Sequence, residues 1–181
     1  LRRLSDGALL ASSDTKLLDQ ADNPAAHAAI LYRNGEATEL IALADGRTLA
    51  SAGTIRLLRG FDRAIVGKSD GTAELVDTIQ GSTVADLGAF TDLITDPTSG
   101  GGFLTVLRDK TCSVWSAATA SKAGTTPSCT RLTMSPDGSV AAIMTDDHIE
   151  VIDVAQSRSI GQLGPEVWGV EFSPDRGATT M

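Results

Sequence analysis

Apolar residues along this chain fall in short runs, many of them alternating with polar ones, and turn-forming residues break each run. The run "IRLLRG" (55–60) ends at Gly60-Phe61-Asp62 and is followed by "RAIVGKS" (63–69). Asp70-Gly71 then leads into "TAELVDT" (72–78), and a further break into "GSTVADLG" (81–88). The same order returns as "TDLITD" (91–96), "FLTVLRD" (103–109), "TCSVWSA" (111–117) and a weakly marked piece at 119–126. It returns again as "TRLTMS" (130–135), "VAAIMTD" (140–146), "HIEVIDVA" (148–155) and "RSIGQLG" (158–164). An earlier copy reads "TKLLDQ" (15–20), "AAILYR" (28–33), "TELIALA" (38–44) and "RTLASA" (47–52), and "VWGVEFS" (167–173) opens a fifth. Proline presets the first turn position and glycine tolerates positive φ. Asp22-Asn23-Pro24, Asp96-Pro97, Ser135-Pro136-Asp137-Gly138 and Asn34-Gly35 therefore predict hairpin connections. No 3.6-residue periodicity lasts for a helix's length, so the expectation is all-β.

The copies are literal in places. "LSDGALLASSDT" (4–15) recurs as "LADGRTLASAGT" (43–54), 39 residues on, and "MSPDG" (134–138) recurs as "FSPDR" (172–176), 38 residues on. Four strands per ~36–40 residues is the unit of a propeller blade. A β-sandwich is the alternative, but it gives no reason for one turn to recur at a fixed interval. The predicted division is a half-blade at 1–13, blades at 14–53, 54–89, 90–127 and 128–165, and a half-blade at 166–181.

With Ser135-Pro136-Asp137-Gly138, Ser173-Pro174-Asp175 and the third-strand ends Ile41-Ala42, Val76-Asp77, Trp115-Ser116 and Ile152-Asp153, the chain resembles a WD-repeat β-propeller of divergent bacterial type. No copy carries the complete Trp-Asp pair. The family's Gly-His is missing, and His27 and His148 fall elsewhere in the blade. The resemblance implies a non-catalytic platform for protein partners. Two alternatives stay open: a sensor or regulatory region of a larger signalling protein, and part of a propeller enzyme whose catalytic residues lie outside this stretch. Complementary half-blades at the two ends fit either a five-bladed ring or part of a larger propeller. An open arc would leave apolar faces that promote self-association.

Composition changes the picture in two respects. Aromatic residues make up only 4%, so the core must rest on Val, Ile, Leu and Ala. The formal net charge of −8 argues against nucleic acid as a partner, because a phosphate backbone needs a basic field. No apolar stretch approaches the ~18 residues of a membrane span.

Candidate chemistry is sparse. The second inner-strand position gives a channel mouth of Lys16, Arg56, Asp92 and Arg131, with Gly169 in the fifth copy; three cations and one carboxylate do not suit a hard metal ion. Asp146, Asp147, His148 and Glu150 lie close together, but a hairpin turn and an alternating strand account for them. "TSGGGF" (98–103) leads into a strand and lacks the Lys-Ser/Thr of a phosphate loop. The expectation is therefore no catalytic residues, metal or cofactor. The partner-binding face is predicted at the turns between second and third strands: Arg33, Asn34, Glu36, Lys68, Asp70, Arg108, Asp109, Lys110, Asp146, Asp147 and His148. Cys112 begins a third strand and Cys129 precedes the next first strand, on one face of the blades; two unpaired, partly buried thiols are expected, with a disulfide the alternative.

Overall fold

The computed structural model describes residues 28–33, 36–58, 62–95, 102–106, 110–173 and 178–180. The expected strand at 15–20, Lys16, Asn34, Arg108, Asp109, Asp22-Asn23-Pro24 and most of the "TSGGGF" loop lie outside those residues. Among the described residues every regular element is a strand. The chain divides into two compact units, Leu1–Gly88 and Ala89–Met181.

In the first unit, β1 (Ala28–Arg33), β2 (Glu36–Ala42) and β3 (Thr48–Ser51) form an antiparallel sheet in chain order. Beside it lies a four-stranded one of β4 (Thr54–Leu58), β5 (Arg63–Gly67), β6 (Thr72–Asp77) and β7 (Thr83–Ala89). Ala28, Ile30 and Leu40 of one sheet meet Ile55, Ala64, Val66 and Val76 of the other in a shared core. Burial of each large aliphatic side chain contributes about 1.5–3 kcal/mol.

The second unit repeats the plan with β8 (Asp92–Thr95), β9 (Gly102–Val106), β10 (Cys112–Ser116) and β11 (Ser121–Thr126). Its next sheet is β12 (Arg131–Met134), β13 (Val140–Met144), β14 (Ile149–Asp153) and β15 (Arg158–Leu163). A two-stranded piece follows, β16 (Val170–Phe172) with β17 (Ala178–Thr180). One face of the β12–β15 sheet packs Leu132, Met134, Ala141, Ile143 and Ile152 onto Cys112, Val114 and Ala123. Its other face packs Ala142 and Ile149 onto Val170. This alternation explains why β13 is buried at three successive positions: it is covered on both sides. The fourth strands are the exposed edges, and β15 is exposed at five of its six residues. Lys122 on β11 and Arg158 on β15 place charge on two of those edges, which discourages edge-to-edge pairing.

The sheets share small devices as well as strand order. The third-to-fourth pairing slips by one residue between Leu40 and Ile41, between Val114 and Trp115, and between Val151 and Ile152. Each slip falls next to the third-strand end, and in two sheets a glycine, Gly124 or Gly161, pairs beside it. The residue ending the third strand then closes the turn. Asp77 Oδ1 accepts from the Ile79 and Gln80 N–H groups at 2.9 Å, and Asp153 Oδ1 from Gln156 N–H at 2.8 Å. Ser116 Oγ accepts from Thr119 N–H at 3.4 Å. In the first sheet that place is Ala42, and Asp45 accepts from Arg47 N–H at 3.0 Å instead. Four residues past each strand end the backbone turns left-handed, at Gly46, Gly81, Ala120 and Ser157 (φ 78, 76, 53 and 52°). Glycine is the unstrained choice there, and at Gly81 an added Cβ would also come within 3.0 Å of Leu49 Cδ2. Asp77 and Asp153, at the third-strand ends, therefore serve as turn-closing acceptors.

Ser135-Pro136-Asp137-Gly138 closes the first-to-second turn of the β12–β15 sheet. Ser135 Oγ donates to Asp137 Oδ1 at 2.6 Å and accepts from Val140 N–H at 2.9 Å. The same carboxylate accepts from Ser139 N–H and Oγ. The Ser135 hydroxyl, helped by Ser139, lowers the Asp137 carboxyl to about 2.

Candidate functional site

In a four-stranded meander the turn between second and third strands shares one end with the start of the first strand and the end of the fourth. In the two four-stranded sheets of the second unit the predicted channel-mouth positions and the predicted partner face consequently occupy the same end. In the β4–β7 sheet the Lys68–Asp70 turn lies at that end, whereas exposed Arg56 sits midway along β4, opposite Ile65. In the second unit, exposed Asp92, Lys110, Asp146, Asp147 and Arg131 do, with half-buried His148. The backbones of Arg33 and Glu36 are strand partners at the corresponding end of β1 and β2.

These residues divide into two groups. Asp70 Oδ1 accepts from Thr72 N–H and Oγ1, whose hydroxyl bond is the main cause lowering its carboxyl. Lys68 Nζ pairs with Glu74 at 2.9 Å, which raises the Lys68 ammonium. Asp147 Oδ1 lies 2.6 Å from His148 Nδ1 and 3.1 Å from Thr145 Oγ1, with His148 the larger influence lowering its carboxyl. Thr145 Oγ1 also lies 3.1 Å from that same Nδ1. A relay needs its two partners on the two different ring nitrogens; here both fall on one, so the cluster closes a turn. Arg56, Lys110, Asp146 and Arg131, by contrast, make no side-chain ion pair among the described residues. The described residues hold no group of three or more His, Cys, Asp or Glu arranged for a metal ion. Nor does any helix among them have the length and apolarity to cross a membrane.

The cysteines require a correction. Cys112 and Cys129 form a disulfide across a Cα separation of 6.1 Å, where two unpaired thiols were expected. Cys112 opens β10 opposite Thr126, and Cys129 lies in the connection to β12. The meander brings both to one end of the β8–β11 sheet, within bridging distance. The bridge thus ties the second-to-third end of one sheet to the strand entry of the next.

A second feature at this end was missed. A cleft of about 220 Å³ opens between the β12–β15 sheet and β16. Met144, Ile149 and Val170 make it apolar, and Arg131 and Glu171 line it with opposite charges. Trp168, 87% exposed, also lines it. The sequence held a signal for this. Trp168 takes the first inner-strand position, where the other copies have Thr15, Ile55, Thr91 and Thr130. A large aromatic there is conspicuous in a chain with so few.

The chain matches no protein-family model, and no curated protein matches its sequence.

Proposed function

We propose that the protein is a non-catalytic platform for a protein partner, built as a WD-like β-propeller from its repeated four-stranded sheets. The partner binds at the second-to-third turns. The observation that carries this reading is the difference between the two ends of the sheets. At the first-to-second and third-to-fourth turns, Asp77, Ser116, Asp137 and Asp153 close the turns themselves. At the opposite end Asp70 and Asp147 close their turns as well, but exposed Lys110, Asp146 and Arg131 make no side-chain ion pair among the described residues, so charges of both signs are left over there. Mixed charges of this kind steer and orient a polar protein surface, and they give poor grip to a uniformly charged polymer. The Cys112–Cys129 bridge supports placing the platform in an oxidising compartment.

Exchanging two charges, Lys110→Glu with Asp146→Lys, preserves net charge and should slow partner association roughly fivefold at low salt. The thermal midpoint should stay where it is. Lys122→Glu with Arg158→Glu, at the other end of the sheets, should leave association unchanged. Equal effects from the two pairs, measured by surface-immobilised kinetics, would sink this reading.

A further inference from the structure

We infer that the cleft between the β12–β15 sheet and β16 is an anchor pocket for one large apolar side chain of an extended partner segment. In the inferred segment, that side chain is flanked by one acidic and one basic residue. This rests on the platform reading and gives it a specific point of grip. The volume of about 220 Å³ matches one large side chain and is small for the ~300–1,000 Å³ typical of a whole small-molecule site. The floor is apolar, formed by Met144, Ile149 and Val170, and methionine adapts to apolar groups of differing shape. Trp168 stands 87% exposed at this cleft. Exposed Trp and Arg beside a pocket are the residue types that carry most binding energy when a partner covers them.

The charges select the flanks. Arg131 offers only donors and Glu171 only acceptors, and no ion pair joins them. A purely anionic ligand would meet Glu171, and a purely cationic one would meet Arg131. A segment with an acid on one side of its anchor and a base on the other satisfies both. Arg131 lies at the strand entry paired with Met144, which precedes the Thr145–His148 turn. The pocket therefore opens at the charged end of the sheet, and one partner could engage both features.

The probe is a library of random dodecapeptides, selected on the intact protein and resynthesised. Enriched sequences should share one large apolar residue between an acid and a base. Their binding should shift the Trp168 emission to the blue, read as the difference between the protein and its Trp168→Phe variant. Trp168→Ala should weaken binding about tenfold or more. Arg131→Ala and Glu171→Ala should each relax the preference for the acidic or basic flank, respectively. Circular dichroism and thermal midpoints verify that each variant is folded. Three results would overturn the inference: no enrichment, peptide binding that Trp168→Ala leaves intact, or a Trp168 shift produced by pyranose sugars and by no peptide. If partner association depends on Lys110 and Asp146 while Trp168→Ala changes nothing, the pocket fails and the platform stands.

Discussion

Replacing both cysteines, as Cys112→Ala with Cys129→Ala, is expected to lower the stability of the Ala89–Met181 unit by about 3 kcal/mol. The two cysteines are 17 residues apart. Closing a loop of that size removes chain entropy from the unfolded state worth about that amount. The bridge also acts where strand pairing alone leaves a gap, between the last residue of β11 and the entry of β12. Urea unfolding with and without reductant measures the effect. The unsubstituted protein should lose midpoint when reduced, and the double variant should be indifferent to reductant. Two titratable thiols in denaturant without reductant would contradict the bridge outright.

The second large effect is expected at Asp77, where Asp77→Ala should cost about 2–4 kcal/mol. This carboxylate accepts from two N–H groups of the third-to-fourth turn and pairs with the Arg63 guanidinium. The Arg63 and Asp77 side chains are largely buried, at 23% and 15% exposure; Arg63 Nη1 makes the pair and also donates to the Asp62 carbonyl at 3.0 Å, while Arg63 Nε has no hydrogen-bond partner among the described residues. Removing Asp77 would strand a cation that cannot easily reach water. Asp77→Asn keeps the turn acceptor and loses the charge, so it should fall between the two. Burial pushes the Asp77 carboxyl up, but the Gln80 and Ile79 N–H groups and Arg63 outweigh it, leaving it below the usual range. A depressed carboxyl contributes stability above its unfolded pKa of about 3.9 and loses it as pH falls through the folded value. The deficit of Asp77→Ala should thus be largest near neutral pH and shrink below about pH 4. Asp137 titrates in both proteins, so the difference between their urea midpoints isolates Asp77.

The strands were legible because two-residue alternation and turn chemistry act locally. "RAIVGKS" became β5 and "VAAIMTD" became β13, each bounded by the turn residues that predicted it. Even the weakly marked piece at 119–126 proved to be a strand, β11, from Ser121 to Thr126. Only Ala123 and Thr126 of that strand are buried, so its apolar signal is thin and its place is set chiefly by pairing with β10 and by the slip at Gly124. The ends of the third strands were visible as Asp77, Ser116 and Asp153, while their turn-closing bonds required geometry. The disulfide was not legible because sequence separation says nothing of approach in space. Two short meanders and a connection had to meet before the cysteines came within reach. The Trp168 cleft showed in the sequence only as one unusual tryptophan, for a related reason. It lies between two sheets, joining Arg131 of one to Glu171 of the next segment, and no single-strand pattern contains it.

Site-specific photo-cross-linking tests the central claim most directly. A photoreactive residue placed at Ser69, Lys110 or Asp146 lies at the charged end of its sheet. One placed at Gln80, Ala118 or Gln156 lies at the third-to-fourth end, and all six positions are exposed. The platform reading predicts partner adducts from the first three positions and none from the second three. Adducts confined to Gln80, Ala118 and Gln156, or shared evenly between the ends, would contradict it.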